Sequence, residues 1–226
     1  LNKCLEKKKY TSIPIWFMRQ AGRYLKEFRD IRKKNPNFIN LCLNQQLVSE
    51  ISLQPIKKFD LDAVILFSDI LIIPYGLGQK VTFKKNIGPI LGYLNLDLIL
   101  NVKENDFINR IKPVYKSLNL LKNNMDYKNK SLIGFAGAPW TLLLYMIYKK
   151  SPKKDFNKNK IFNDKNLLNN LIIKLEDIIC LHIDKQIEAG ANVIQLFDSW
   201  AGLLSKDNLN KYCYTPTLKI VNHIKK

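Results

Sequence analysis

The chain has 226 residues and a mass of 26.4 kDa, with 46% hydrophobic residues and a net charge of +18 from 37 Lys+Arg against 19 Asp+Glu. That much apolar sequence excludes a disordered chain, a collagen-like chain and a minimal disulfide scaffold. Its length can supply one large core. Of the basic residues 32 are Lys and five are Arg, beside 24 Asn, a usage that an AT-rich genome accounts for without a functional demand. The Lys pairs are scattered and form no stripe interleaved with aromatics, so no nucleic-acid partner is expected. No apolar run reaches the ~18 residues of a membrane span, and the first ten residues do not read as a signal peptide. A cytoplasmic protein without a membrane partner is expected. Cys4, Cys42, Cys180 and Cys213 form no CxxC, and neither His182 nor His223 stands at metal-ligand spacing from them. The expectation is free thiols and no metal site.

In chain order, the pattern predicts a helix over 43–58 and then an unbroken apolar strand, Asp62–Phe67. An excursion or hairpin follows over Pro74–Gly92, rich in Gly. A long helix over Glu104–Met125 places Ile108, Ile111, Val114, Tyr115, Leu118 and Leu121 at helical spacing. Ser131–Ala136 is a second buried strand. Lys149–Asn163 reads as a polar, Lys-rich, mobile loop. A helix over Asn166–Ala189 stops at Gly190 and leads to a third buried strand, Asn192–Phe197. The last eleven residues start another helix. Strands alternating with long helices predict an α/β chain of βαβ units with a parallel sheet, one domain over residues 1–226. A TIM barrel of eight such units typically needs ~250 residues, so 226 residues are too few to close one. The missing initiator Met and the final helix, with no strand after it, predict an incomplete chain.

Chemistry should sit where the strands end. Phe67-Ser-Asp69 follows the first strand and Phe197-Asp-Ser-Trp200 the third. A carboxylate at the C-terminal end of a parallel strand lies on the face where barrel active sites are built. A helix cap or a loop hydrogen bond is the equal alternative for Asp69 and Asp198. Arg19 and Arg23 are four apart and would share a face on a helical turn. Guanidinium forks bind carboxylates in a way Lys cannot; the alternative is a surface salt bridge to Glu27 or Asp30. Gly137 and Pro139 predict a tight strand-to-helix turn capped by Thr141. Tyr145 would follow on the first turns of that helix, facing the mouth or buried as a core aromatic. Gly76-Leu-Gly78 lacks the third glycine and the helix of a dinucleotide fingerprint.

Four segments in this order resemble the uroporphyrinogen decarboxylase family: Pro14-Ile-Trp-Phe-Met-Arg-Gln-Ala-Gly-Arg-Tyr24, Ile65-Leu-Phe-Ser-Asp-Ile-Leu71, Gly134-Phe-Ala-Gly-Ala-Pro-Trp-Thr-Leu142 and Gln195-Leu-Phe-Asp-Ser-Trp-Ala-Gly202. The resemblance implies a (β/α)8 barrel, a homodimer, and a lyase of porphyrin and haem biosynthesis that uses no cofactor. Such an enzyme removes CO2 from the four acetate side chains of uroporphyrinogen III to give coproporphyrinogen III. The resemblance also implies residue roles. Asp69 would accept hydrogen bonds from the pyrrole N–H groups, and Arg19 and Arg23 would meet substrate carboxylates, one of them acting in proton transfer. Gln20 would line the same rim, Tyr145 and Ser199 would contact the reacting acetate, and Phe197 would pack under the ring. Leu25-Lys-Glu-Phe-Arg29 departs from the family's usual Leu-Pro-Glu-Tyr-Arg, and the stretch after Tyr145 is Lys-rich where the family is Gly-rich. Neither His182 nor His223 matches the family's substrate-contacting His. The chain would be the N-terminal roughly two-thirds of such a barrel. The alternatives are a corrinoid or cobalamin-independent methyltransferase of the same fold, with zinc ligands from Cys and His, or a non-catalytic remnant that binds porphyrinogen or nucleic acid.

Overall fold

Three apolar segments form one sheet, in the order β1-β4-β5: β1 (Ala63–Ile65), β4 (Ser131–Gly137) and β5 (Val193–Phe197). The computed structural model describes residues 1–9, 12–124, 130–152, 162 and 164–225. β1 pairs with β4 in parallel, Ala63 opposite Ser131 and Ile65 opposite Ile133. The Asn192 N–H donates to the Leu132 carbonyl at 3.0 Å, and the Ala138 N–H donates to the Phe197 carbonyl at 2.8 Å, so β5 runs in the same direction as β4. Among the described residues the sheet does not close. Met125 and most of the loop expected over Lys149–Asn163 lie outside the described residues.

The helices are α1 (Asn2–Leu5), α2 (Lys26–Lys34), α3 (Phe38–Cys42), α4 (Gln45–Lys58), α5 (Ile72–Gly76), α6 (Leu96–Asn101), α7 (Glu104–Asn123), α8 (Pro139–Tyr148), α9 (Lys165–Glu188), α10 (Lys206–Leu209) and α11 (Thr215–Ile224). A five-residue π turn, Asn210–Tyr214, joins α10 to α11. The two long predicted helices are present within two residues at each end. α4 begins at Gln45 because the Asn44 side chain accepts the Leu47 N–H and caps it. α7 buries Phe107, Ile111, Val114, Leu118 and Leu121, one stripe at three- and four-residue steps.

The chain divides into two units. The first comprises Leu1–Asp69, Ile111–Phe135 and Lys185–Gln195; the second comprises Ile70–Arg110, Ala136–Asp184 and Leu196–Lys226. In the first, Leu25, Phe28, Leu41 and Ile51 form a buried cluster against which Phe67 packs. The outer edge of β1 is covered by residues 15–20. Ile15 and Asp62 exchange hydrogen bonds, Ile15 N–H to Asp62 Oδ2 at 2.7 Å and Asp62 N–H to the Ile15 carbonyl at 2.9 Å. The Gln20 amide donates to the Ala63 carbonyl at 3.0 Å. All three β1 residues are therefore buried. β5 differs from expectation: every one of its residues is half-exposed, because it forms the edge of this sheet. On β4, Gln186 takes the place of a strand neighbour, accepting the Phe135 N–H at 2.9 Å and donating to its carbonyl at 3.0 Å. Gly134 makes room for it, since a Cβ there would stand 2.6 Å from Gln186 Oε1.

In the second unit, α8 starts with Pro139 in its first turn and buries Trp140, Leu142, Leu143, Leu144 and Met146. The excursion is an antiparallel hairpin, β2 (Val81–Lys84) with β3 (Gly88–Leu91), preceded by the short α5. Gln79 ties it to the end of α8, donating to the carbonyls of Gly92 and Met146 at 3.0 Å each. α11 lies along α9 through Lys219–Glu176 at 2.9 Å and His223–Asp184 at 2.8 Å.

Candidate active site

In the first unit, Arg19 and Arg23 lie on a run of bends and turns rather than on a helix, which corrects the shared-helix-face reading. The cause is Gln20. It is 2% exposed, accepts the Phe17 N–H at 3.0 Å and spans to β1, while its own carbonyl accepts from the Tyr24 hydroxyl. Its amide faces the scaffold and not a rim. The segment is wound around this one buried side chain, which leaves the flanking arginines exposed. Among the described residues neither guanidinium has a carboxylate partner. Asp30 instead faces Lys26 at 3.6 Å.

Asp69 sits half-buried, four residues beyond the end of β1. Its approach is fixed by Phe67, whose N–H donates to Ser52 Oγ at 2.9 Å and whose ring meets Phe28 and Phe38 edge-on at 5.5 and 5.8 Å. Burial pushes the Cys42 thiol pKa far above its ordinary value; the Asp69 charge adds to this and Arg32 opposes it. Arg32 lies over the Phe38 ring at 5.3 Å. Its guanidinium pKa is lowered, first by burial, with Cys42 opposing and Arg23 adding to the shift. Sequence reading passed over Arg32, although a signal was present: four of the five arginines of this Lys-rich chain fall between residues 19 and 32.

The second unit holds Tyr145, Phe197 and Ser199. Phe197 closes β5 and is half-exposed, and Ser199 is exposed. Thr141 is not a helix cap: α8 starts two residues earlier, with Ala138 at the cap position. Its hydroxyl donates to Asp198 Oδ1 at 2.6 Å and accepts the Trp200 N–H at 3.1 Å. The Trp140 indole donates to the Trp200 carbonyl at 3.1 Å. Asp198 Oδ2 and the Trp200 indole nitrogen are buried without a hydrogen-bond partner among the described residues. The π turn sets Cys213 against Asp198; its thiol is pushed up to about 12 by burial, then by hydrogen bonding to Asp198 and by the Asp198 charge. The Tyr145 hydroxyl lies 3.3 Å from Ser151 Oγ, and its ring meets Trp200 edge-on at 6.2 Å.

His182 is buried and its pKa is pushed down to about 3 by burial, so it is a neutral core residue at neutral pH. A cavity of about 390 Å³ opens beside Lys122, Lys130, Leu132 and Asn192, at the N-terminal ends of β4 and β5. None of the sequence-predicted site residues lines it.

Parallel strands followed by helices define an α/β protein of barrel type, its sheet open among the described residues. A solved structure of a methyltransferase from Methanosarcina mazei has this fold, with a TM-score of 0.74 at 15% identity, over 98% of this chain and 65% of that one. The family model described as Uroporphyrinogen decarboxylase (URO-D) matches residues 1–226, and the chain belongs to that family. The uroporphyrinogen decarboxylase of Rickettsia bellii (strain RML369-C) is 41% identical over 214 residues, 94% of this chain and 62% of that protein. That of Campylobacter jejuni is 40% identical over 216 residues, 94% of this chain and 63% of that protein. The chain thus spans somewhat under two-thirds of the length of these relatives.

Proposed function

We propose that the protein acts in the decarboxylation of uroporphyrinogen III to coproporphyrinogen III, a carboxy-lyase step of porphyrin and haem biosynthesis. The observation that carries this reading lies in the first unit: Asp69 stands half-buried past the end of β1, and Arg19 and Arg23 are exposed, with no carboxylate partner for either among the described residues. A ligand bearing carboxylates and a developing positive charge suits that combination.

The chemistry needs an electron sink, and the substrate supplies it. A proton adds to the pyrrole α-carbon beside the acetate-bearing carbon and makes the ring cationic, the charge shared between the acetate-bearing carbon and the nitrogen. The bond from the acetate methylene to its carboxylate then breaks, and its electron pair flows into the ring, forming an exocyclic methylene as CO2 leaves. A proton added to that methylene and one lost from the ring carbon restore the pyrrole with a methyl group. Asp69 accepts the pyrrole N–H groups and stabilises the cation; such preorganised charge contributes about 3–4 kcal/mol in a site shielded from water. Arg19 and Arg23 hold the carboxylates as forks, and one of them moves a proton. Gln20 positions the two arginines and lines the segment between them. Tyr145 and Ser199 contact the reacting acetate, and Phe197 packs against the macrocycle. No metal or prosthetic group has a role in this scheme. The reading extends to a single domain that works in the cytoplasm as a homodimer, without nucleic-acid or membrane partners.

The test is a chromatographic assay of the chain with uroporphyrinogen under anaerobic conditions, beside Asp69→Ala. Coproporphyrinogen from the first and not the second is the expected result. Equal turnover by both would remove Asp69 from the mechanism.

A further inference from the structure

The turn that presents Ser199 is clamped on both sides by α8. Thr141 Oγ1 donates to Asp198 Oδ1 at 2.6 Å, one residue before Ser199, and accepts the Trp200 N–H at 3.1 Å, one residue after it. The adjacent Trp140 indole takes the Trp200 carbonyl at 3.1 Å. A hydroxyl has one proton and two lone pairs, so this single group both gives to and receives from the turn. Ser199 itself is exposed between two held neighbours. Trp200 also carries the restraint to Tyr145, whose ring meets it edge-on.

We propose that Thr141 and Asp198 are a positioning pair: they hold the 198–200 turn so that the Ser199 hydroxyl points outward, and through Trp200 they set the Tyr145 ring. This inference rests on the decarboxylase reading for what Ser199 and Tyr145 then touch. Asp198 makes no substrate contact in this scheme. Its charge strengthens the bond from Thr141, since hydrogen bonds to an ionised acceptor are shorter and about twice as strong as neutral ones. The bond from Trp200 to Thr141 is what transmits the hold to the backbone.

The test compares Thr141→Val, Thr141→Ser and Asp198→Asn with the wild-type chain. Valine keeps the shape of Thr141 and removes both hydrogen bonds; serine keeps the hydroxyl. Two readouts are taken: amide hydrogen exchange over residues 196–204, and kcat and KM for uroporphyrinogen. Thr141→Val is expected to exchange faster at Trp200 and to lose about 10- to 100-fold in kcat, the effect of a slightly misplaced group, with KM within about two-fold. Thr141→Ser is expected to restore both, and Asp198→Asn to fall between. Unchanged exchange in Thr141→Val would overturn the clamp. Faster exchange with unchanged kcat would show a clamp that positions nothing for catalysis, and would overturn the proposal. A wild-type chain without turnover would count against the decarboxylase reading, while exchange would still decide whether the pair holds the turn.

Discussion

An exposed guanidinium with no carboxylate nearby is open to a ligand, and Arg19 and Arg23 both have that character among the described residues. Lysine at position 23 keeps the charge and loses the planar fork. Arg23→Lys should therefore raise KM for uroporphyrinogen about ten-fold and leave kcat within a few-fold; steady-state kinetics measures both. Asp69 has the opposite signature. Its charge is proposed to act on the cation of the transition state, so Asp69→Asn should lower kcat by about 10²–10³-fold with little change in KM. His182 gives a test that needs no substrate. Burial lowers its pKa to about 3, against 6.5 in an unfolded chain. Between those values the unfolded chain binds a proton that the folded chain does not, so stability falls as pH drops from 6.5 toward 3. Between pH 7 and pH 4 the loss from this one group is about 3 kcal/mol. Urea midpoints of His182→Leu should be flatter over that window; an identical pH slope in the variant would rule out the buried imidazole as the cause.

Elements that obey local rules matched their expected positions. α4 follows its Asn44 cap, and Asn44→Ala should cost about 1 kcal/mol by thermal or urea unfolding. α9 ends before Gly190, whose φ of +115° lies where L side chains rarely go. A Cβ at Gly190 would also meet Lys122 at 2.5 Å. Gly190→Ala should lower stability by about 1–3 kcal/mol; no loss would mean that the turn re-forms with another φ. Elements that depend on a neighbour did not match. β5 reads as a strand buried on both faces and is half-exposed at the edge of its sheet. Arg19 and Arg23 read as sharing a face on a helical turn, and their segment instead wraps around the buried amide of Gln20.

At the scale of the whole molecule, the net charge of +18 acts on any polyanion. Uroporphyrin, the stable oxidised macrocycle with the same eight carboxylates, is a suitable probe. Its association rate with the chain, followed by tryptophan quenching, should fall about ten-fold or more between ~50 mM and ~500 mM NaCl, as steering is screened. A rate independent of salt would make the charge a bystander. The family assignment is equally a property of the whole chain. It rests on four ordered segments that the family model joins over residues 1–226. The fold likeness at 15% identity carries the architecture alone.

By itself the sequence determined the alternation of buried strands and long helices, the helix stops, the hairpin excursion and the family. All of these rest on periodicity, capping and short motifs, which act over a few residues. Tertiary structure decided the partners. Thr141 and Asp198 are 57 positions apart, and nothing local makes a hydroxyl prefer that carboxylate to its own helix end. Gln20 reaches Ala63 across 43 positions, which turns a rim candidate into scaffold. Arg32 lies over the Phe38 ring because folding sets α2 against α3. Hydrogen bonds and charges between distant residues depend on where packing brings the backbone, and packing is a property of the folded chain.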